Sequence, residues 1–126
     1  MAMIENLLFD GVQDWLDAST IYSETMKNGI TDPTIRRQLS IGLISELLTR
    51  GLMEAGDYRE SEFHPWGIPV GDALVKITLD WFTHAPAEMP EMWSIVWLRN
   101  TPRGNELAHA EEARRAALEP PPSASE

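Results

Sequence analysis

Glu62 and His64 sit two positions apart, so an extended backbone turns both side chains to one side, the carboxylate and imidazole pair that general acid–base catalysis uses. No nucleophile or cofactor motif stands near them. The other histidines, His84 and His109, share no metal-ligand spacing with His64 or with each other. Asp10, Asp14 and Asp17, with Glu24 further on, fall at helical intervals and share one face if the segment is helical. Such a face attracts a basic protein surface or a divalent cation. A cation cage needs converging oxygens that helical neighbours alone do not supply, so a solvated face and a docking face for a basic protein are the readings that stand.

The chain has five tryptophans in 126 residues. Large rings are core material first, because each buries so much apolar area. Trp93, Ile95 and Trp97 share a face if the segment is a strand. Trp66 and Trp93 are the two rings that become interface anchors if solvent reaches them. There is no Gly-rich phosphate loop, Gly-x-Ser-x-Gly elbow or His-Glu-x-x-His helix. The expectation is therefore a non-enzymatic protein with no catalytic residues, no metal and no cofactor.

Positioning those residues requires helices for the most part. Leu8, Val12, Trp15, Leu16, Tyr22 and Met26 recur every three or four residues, which predicts one long amphipathic helix from Ile4 to about Met26, stopped at Asn28-Gly29. Asp32-Pro33 is a cap followed by a first-turn proline and predicts a second start. Ile35 to Leu48 keeps helical spacing, but Ser40 and Gly42 interrupt it, so one helix and two short helices joined by a turn both fit. Gly51 closes this region and Leu52-Met53-Glu54 begins a short strand. Residues 56–69 read as loop, with Phe63 and Trp66 anchored on the core. A helix follows from Val70 to about Phe82, then a connector marked by Pro86 and Pro90, then a strand from Met92 to Leu98 buried on both faces and paired near Leu52. Thr101-Pro102 opens a last helix through Leu118, and 119–126 is read as a disordered tail beyond a single domain of residues 1–118. The class predicted is mainly α (α+β), with four to five helices and a small sheet.

The net charge of −10 opposes binding to phosphate backbones and anionic lipid, and it favours basic partners. Residues 31–60 are the least acidic stretch, with five acids against Arg36, Arg37, Arg50 and Arg59. The absence of cysteine fits a reducing cytoplasm. Met1 to Leu8 has no signal-peptide pattern, and no apolar run reaches the roughly 18 residues of a membrane span, so no membrane association is expected.

Two stretches resemble the winged-helix regulators of the MarR and PadR type. Leu39-Ser40-Ile41-Gly42-Leu43-Ile44-Ser45-Glu46-Leu47-Leu48-Thr49-Arg50-Gly51-Leu52 is similar to their recognition helix running into a Gly-Leu strand start. Leu98-Arg99-Asn100-Thr101-Pro102-Arg103-Gly104-Asn105-Glu106-Leu107 is similar to the strand, Thr-Pro cap and closing helix that follow the wing. The stretch from Glu54 to Ser94 is longer than a simple wing hairpin and holds a whole predicted helix. Gly56-Asp57, Pro65-Trp66, Trp81 and Trp97 to Thr101 also resemble small actinobacterial-type proteins of unassigned function.

What the winged-helix resemblance implies is a domain that grips DNA, with dimerisation through the first and last helices. Arg36, Arg37, Arg99 and Arg103 would then touch phosphates, and Ser40, Ser45, Glu46, Thr49 and Arg50 would face the DNA groove. That is a poor set for reading bases, which favours Arg, Lys, Asn and Gln. The arginines also have many carboxylates to pair with. The function expected is accordingly an acidic protein-binding module, of the immunity or antitoxin type, that occludes a basic protein partner through Asp10, Asp14, Asp17, Trp66 and Trp93. The alternative is a winged-helix DNA-binding regulator, possible as a homodimer.

Overall fold

Gly29 and Gly51 both adopt a left-handed φ, +82° and +69°. Each ends a helix in the same way. The N–H two residues past the cap reaches back to a carbonyl of the last turn, Ile30 to Thr25 at 3.2 Å and Leu52 to Leu47 at 2.9 Å. These stops delimit the first half of the computed structural model, which describes residues 2–85 and 89–118. Among them lie α1 (Ala2–Gln13), β1 (Leu16–Asp17), α2 (Ala18–Lys27), α3 (Pro33–Thr49), β2 (Met53–Arg59), β3 (Glu62–Pro65), α4 (Val70–His84), β4 (Trp97–Asn100) and α5 (Pro102–Leu118). Five helices around a small antiparallel sheet of order β1-β4-β2-β3 make this a mainly-α, α+β fold. Among the described residues no helix is long and apolar enough to cross a membrane. The expected tail at 119–126 lies outside them, as does Pro86.

The single long first helix does not form. α1 ends at Gln13, where the Asp14 carboxylate accepts the N–H of Trp15 at 2.8 Å, and Asp17 then caps α2 by accepting the N–H of Thr20 at 3.0 Å. Two side-chain acceptors compete with the helix backbone here, so the apolar period runs across a break. Val12 and Met26, read as core, are exposed.

α3 is one helix. Ser40 is buried and its hydroxyl donates to the Arg36 carbonyl at 2.6 Å, so the polar side chain is satisfied inside the helix. Asp32 caps α3 by accepting from the Thr34 N–H at 2.8 Å, with Pro33 in the first turn, as the sequence predicts.

Residues 56–69 are not all loop. Most of β2 and all of β3 form a hairpin in which Tyr58 pairs with Phe63 and Arg59 with Glu62. Its turn residues Glu60 and Ser61 carry φ of +55° and +63°, the mirror-image geometry that matches strand twist and normally draws Asn-Gly. Neither residue announces it. Gly56 leaves room for an aromatic ring, since a Cβ there would lie 2.7 Å from Phe63 Cζ.

The strand predicted over Met92 to Leu98 starts later, at Trp97, because Trp93 and Ile95 have φ of +67° and +71° and cannot continue an extended backbone. Consequently Trp93, Ile95 and Trp97 do not share a strand face. The expected pairing near Leu52 does form, with Met53 opposite Asn100 and Gly56 opposite Trp97, and β4 pairs on its other side with β1.

The last helix starts where the Thr-Pro signal puts it. Thr101 accepts the Gly104 N–H on its hydroxyl oxygen at 3.1 Å, and its own N–H donates to the Leu52 carbonyl at 3.0 Å. One core runs through these elements, with Leu7, Leu8, Ile21, Ile44, Leu47, Ile77, Trp81 and Leu98 all at 0% exposure. Each such side chain contributes about 1.5–3 kcal/mol by leaving water.

Candidate functional site

Where α1 stops short, the chain from Asp14 to the start of α2 forms one wall of an open groove of about 830 Å³. Tyr58 of β2, Trp97 of β4 and the segment leading into β4 extend the lining from there. Trp15 lies against Tyr58 with ring centroids 5.3 Å apart and tilted 57°, and Tyr58 against Trp97 at 5.5 Å and 47°. These tilted contacts, of the kind aromatic pairs prefer, join the three rings into one aromatic cluster. Trp15 also packs on Phe63 at 5.8 Å. Met89, Met92 and Trp93 complete the lining, and Trp93 is 69% exposed.

Asp17 organises this groove from beneath. It is 5% exposed, and its Oδ1 accepts from the Ser19 hydroxyl at 2.7 Å and from the Thr20 N–H and hydroxyl, each at 3.0 Å. Its Oδ2 accepts the backbone N–H of Trp93 at 2.6 Å. That bond holds the exposed ring on a backbone segment where left-handed φ at a tryptophan and at β-branched Ile95 costs about 1–3 kcal/mol each. Strained backbone of this kind concentrates at functional segments.

The acidic face expected from Asp10, Asp14, Asp17 and Glu24 is not present as one surface. Asp10 is exposed on α1 and Asp14 lines the groove, but Asp17 faces inward as a cap. Glu24 is 3% exposed and accepts from Asn6 Nδ2 at 2.9 Å and from Asn28 Nδ2 at 3.3 Å. The premise of an unbroken helix placed them together, and the break at Asp14 separates them.

The two tryptophans proposed as anchors part company as well. Trp93 stands in solvent beside Asp14 and Asp17. Trp66 is half-buried against the core, lines a smaller pocket beside Met53 and Ala73, and carries Lys76 over its ring at 5.1 Å.

Glu62 and His64 share one face of β3, as the extended reading expects. The His64 ring nitrogen donates to the Arg59 carbonyl at 3.1 Å and serves the hairpin. Among the described residues no three His, Asp or Glu side chains gather closely enough to hold a metal ion.

Most of the arginines expected at a DNA interface are occupied. Arg36 donates to the Ile30 carbonyl at 2.6 Å, Arg37 stacks over Phe82 at 4.1 Å, and Arg50 pairs with Glu46 at 3.2 Å. Arg99 Nε donates to Glu54 at 2.8 Å while its guanidinium covers Phe63 at 4.4 Å. Arg103 is exposed, with no ion pair among the described residues. Ser40, expected to face outward from α3, is buried.

Trp15, Tyr58 and Trp97 were not singled out from sequence as groove residues. In sequence Trp15 continues a helix stripe, Tyr58 falls in a loop-like stretch and Trp97 in a run that reads as a buried strand. The available signal was Gly56-x-Tyr58 with Phe63 five residues on, an alternation that marks a hairpin face once its turn is recognised. No protein-family model, curated protein or solved structure matches the chain.

Proposed function

We propose that this protein is a non-enzymatic binding module that docks a basic protein partner on the Trp93 groove and acts by covering it, in the manner of an immunity protein or antitoxin. The observation that carries this reading is Trp93, a large apolar ring held in solvent by a buried carboxylate on a strained backbone. Aromatic side chains of this kind dominate the energy of protein interfaces. Met92, 65% exposed, lies beside it and adds a flexible thioether that adapts to a partner. The net charge of −10 steers a basic surface toward the groove.

The scaffold we read as winged-helix-like, an assignment supported by the helix pair α2 and α3 running into β2 and by the adjacency of β1, β4 and β2, with β3 and α4 inserted before β4. Against use of that scaffold on duplex DNA stand the internal bonds of Arg36, Arg50 and Arg99. Affinity capture from native lysate, run with wild-type protein, with Trp93→Ala and with a duplex-DNA bait in parallel, tests the reading. A protein retained by the wild type, released by salt and lost with Trp93→Ala is expected. Equal capture by both proteins, or retention on duplex DNA at low salt, overturns it.

A further inference from the structure

We infer that the Trp93 groove is a site for an organic cation, an ammonium or guanidinium group, with aromatic rings around the charge and Asp14, backed by buried Asp17, as its counter-charge. The inference rests on reading this groove as the binding surface and names the chemical group it takes.

Three observations combine. First, Trp15, Tyr58 and Trp97 form one aromatic cluster lining the groove, with centroids 5.3 and 5.5 Å apart, and exposed Trp93 lines the same groove. The faces of such rings carry negative potential and attract a cation, most strongly where water is displaced. Second, every donor to Asp17 is neutral: the Ser19 and Thr20 hydroxyls and the N–H groups of Thr20 and Trp93. Those four bonds and the N-terminus of α2 already offset the buried Asp17 charge, so exposed Asp14 is the carboxylate that meets a cation in the groove, with Asp17 adding its field from behind. Third, the charges lining the groove are two aspartates against Lys27, one net negative charge inside the field of a strongly acidic protein. At about 830 Å³ the groove holds more than one ammonium ion, and it suits a cationic side chain together with the residues beside it.

The source of the cation is either a basic side chain of a protein or a free quaternary amine, and both give the same chemistry. The test titrates the full chain with choline, with its uncharged isostere 3,3-dimethylbutan-1-ol and with N-acetyl-arginine amide, following the indole N–H resonances of all five tryptophans. Choline or the arginine amide is expected to shift Trp15, Trp93 and Trp97 and to spare Trp66 and Trp81, with the isostere about tenfold weaker. Tyr58→Ala, at a position 46% exposed, should weaken the cation about tenfold. Lys27→Met removes a like charge and should tighten it about two- to threefold. Equal binding of isostere and cation, shifts confined to Trp66 and Trp81, or weakening by Lys27→Met each overturns the inference.

The two readings fail separately. Partner capture that depends on Trp93 without any cation response leaves the protein-binding reading intact and removes this one. A cation response strongest for choline, without a captured protein, keeps this inference and replaces the partner with a small quaternary amine. Stronger binding of the arginine amide assigns the site to a protein side chain.

Discussion

Asp17 and Trp93 lie 76 positions apart in the chain, and a single 2.6 Å bond from the Trp93 N–H to the Asp17 carboxylate joins them. The same carboxylate starts α2, so cap and groove depend on one side chain. Asp17→Ala should cost about 2–3 kcal/mol in urea unfolding, combining a lost cap with an unsatisfied N–H at Trp93. It should also broaden the Trp93 amide resonance. Asp17→Asn keeps an acceptor and should cost less than half as much. Equal costs for the two variants would mean that the acceptor oxygen is not what matters.

Trp93 and Trp81 should separate binding from stability. Trp93→Ala is expected to change unfolding stability by no more than about 0.5 kcal/mol, because the ring is 69% exposed. Trp81, at 0%, should cost about 3–5 kcal/mol when replaced by alanine. A large loss of stability at Trp93 would relocate its ring to the interior.

Two helical glycines should respond in opposite directions to alanine. A Cβ on Gly42 meets nothing within 4 Å, so Gly42→Ala should stabilise α3 by about 0.5–1 kcal/mol. A Cβ on Gly104 would lie 2.0 Å from the Leu52 carbonyl oxygen, backbone that cannot swing aside. Gly104→Ala should therefore cost about 1–3 kcal/mol or more. Thermal midpoints of the two variants against wild type settle both.

On α5, the side-chain hydrogen bond from Arg114 lowers Glu111 from 4.5 to about 2, against burial that raises it and with Arg115 adding to the lowering. A carboxylate with a depressed pKa stabilises the fold fully above its unfolded value and loses that contribution as pH falls through the folded one. Glu111 should thus support α5 above pH 4.5 and cease to do so toward pH 2. Unfolding free energy measured at steps between those limits should fall more steeply with decreasing pH in wild type than in Glu111→Gln.

The sequence announces those features whose physics is local. Asp32-Pro33, Gly29, Gly51 and Thr101-Pro102 mark helix ends through one residue's own geometry or hydrogen bond, and each end falls where these residues put it. The break between α1 and α2 was hidden because Trp15 and Leu16 continue a helical period while belonging to the groove and to β1. The hairpin was hidden because Glu60 and Ser61 take a turn geometry that their side chains do not favour. The groove itself is a long-range product. Its tryptophans and Tyr58 come from segments spread over more than eighty residues, and no spacing between them signals that they meet.

β1 pairs with β4 through Leu16 opposite Leu98, so this edge ribbon of the sheet joins segments far apart in the chain. Contacts of such sequence separation form late, since the loop between them must first be ordered. A ribosome that has released only the first ninety or so residues has made Asp14, Asp17, Trp15 and Tyr58 without the strand that gathers them. The groove therefore assembles only once β4 is in place, and truncated copies ending before Leu98 should lack it, with their tryptophans left in solvent.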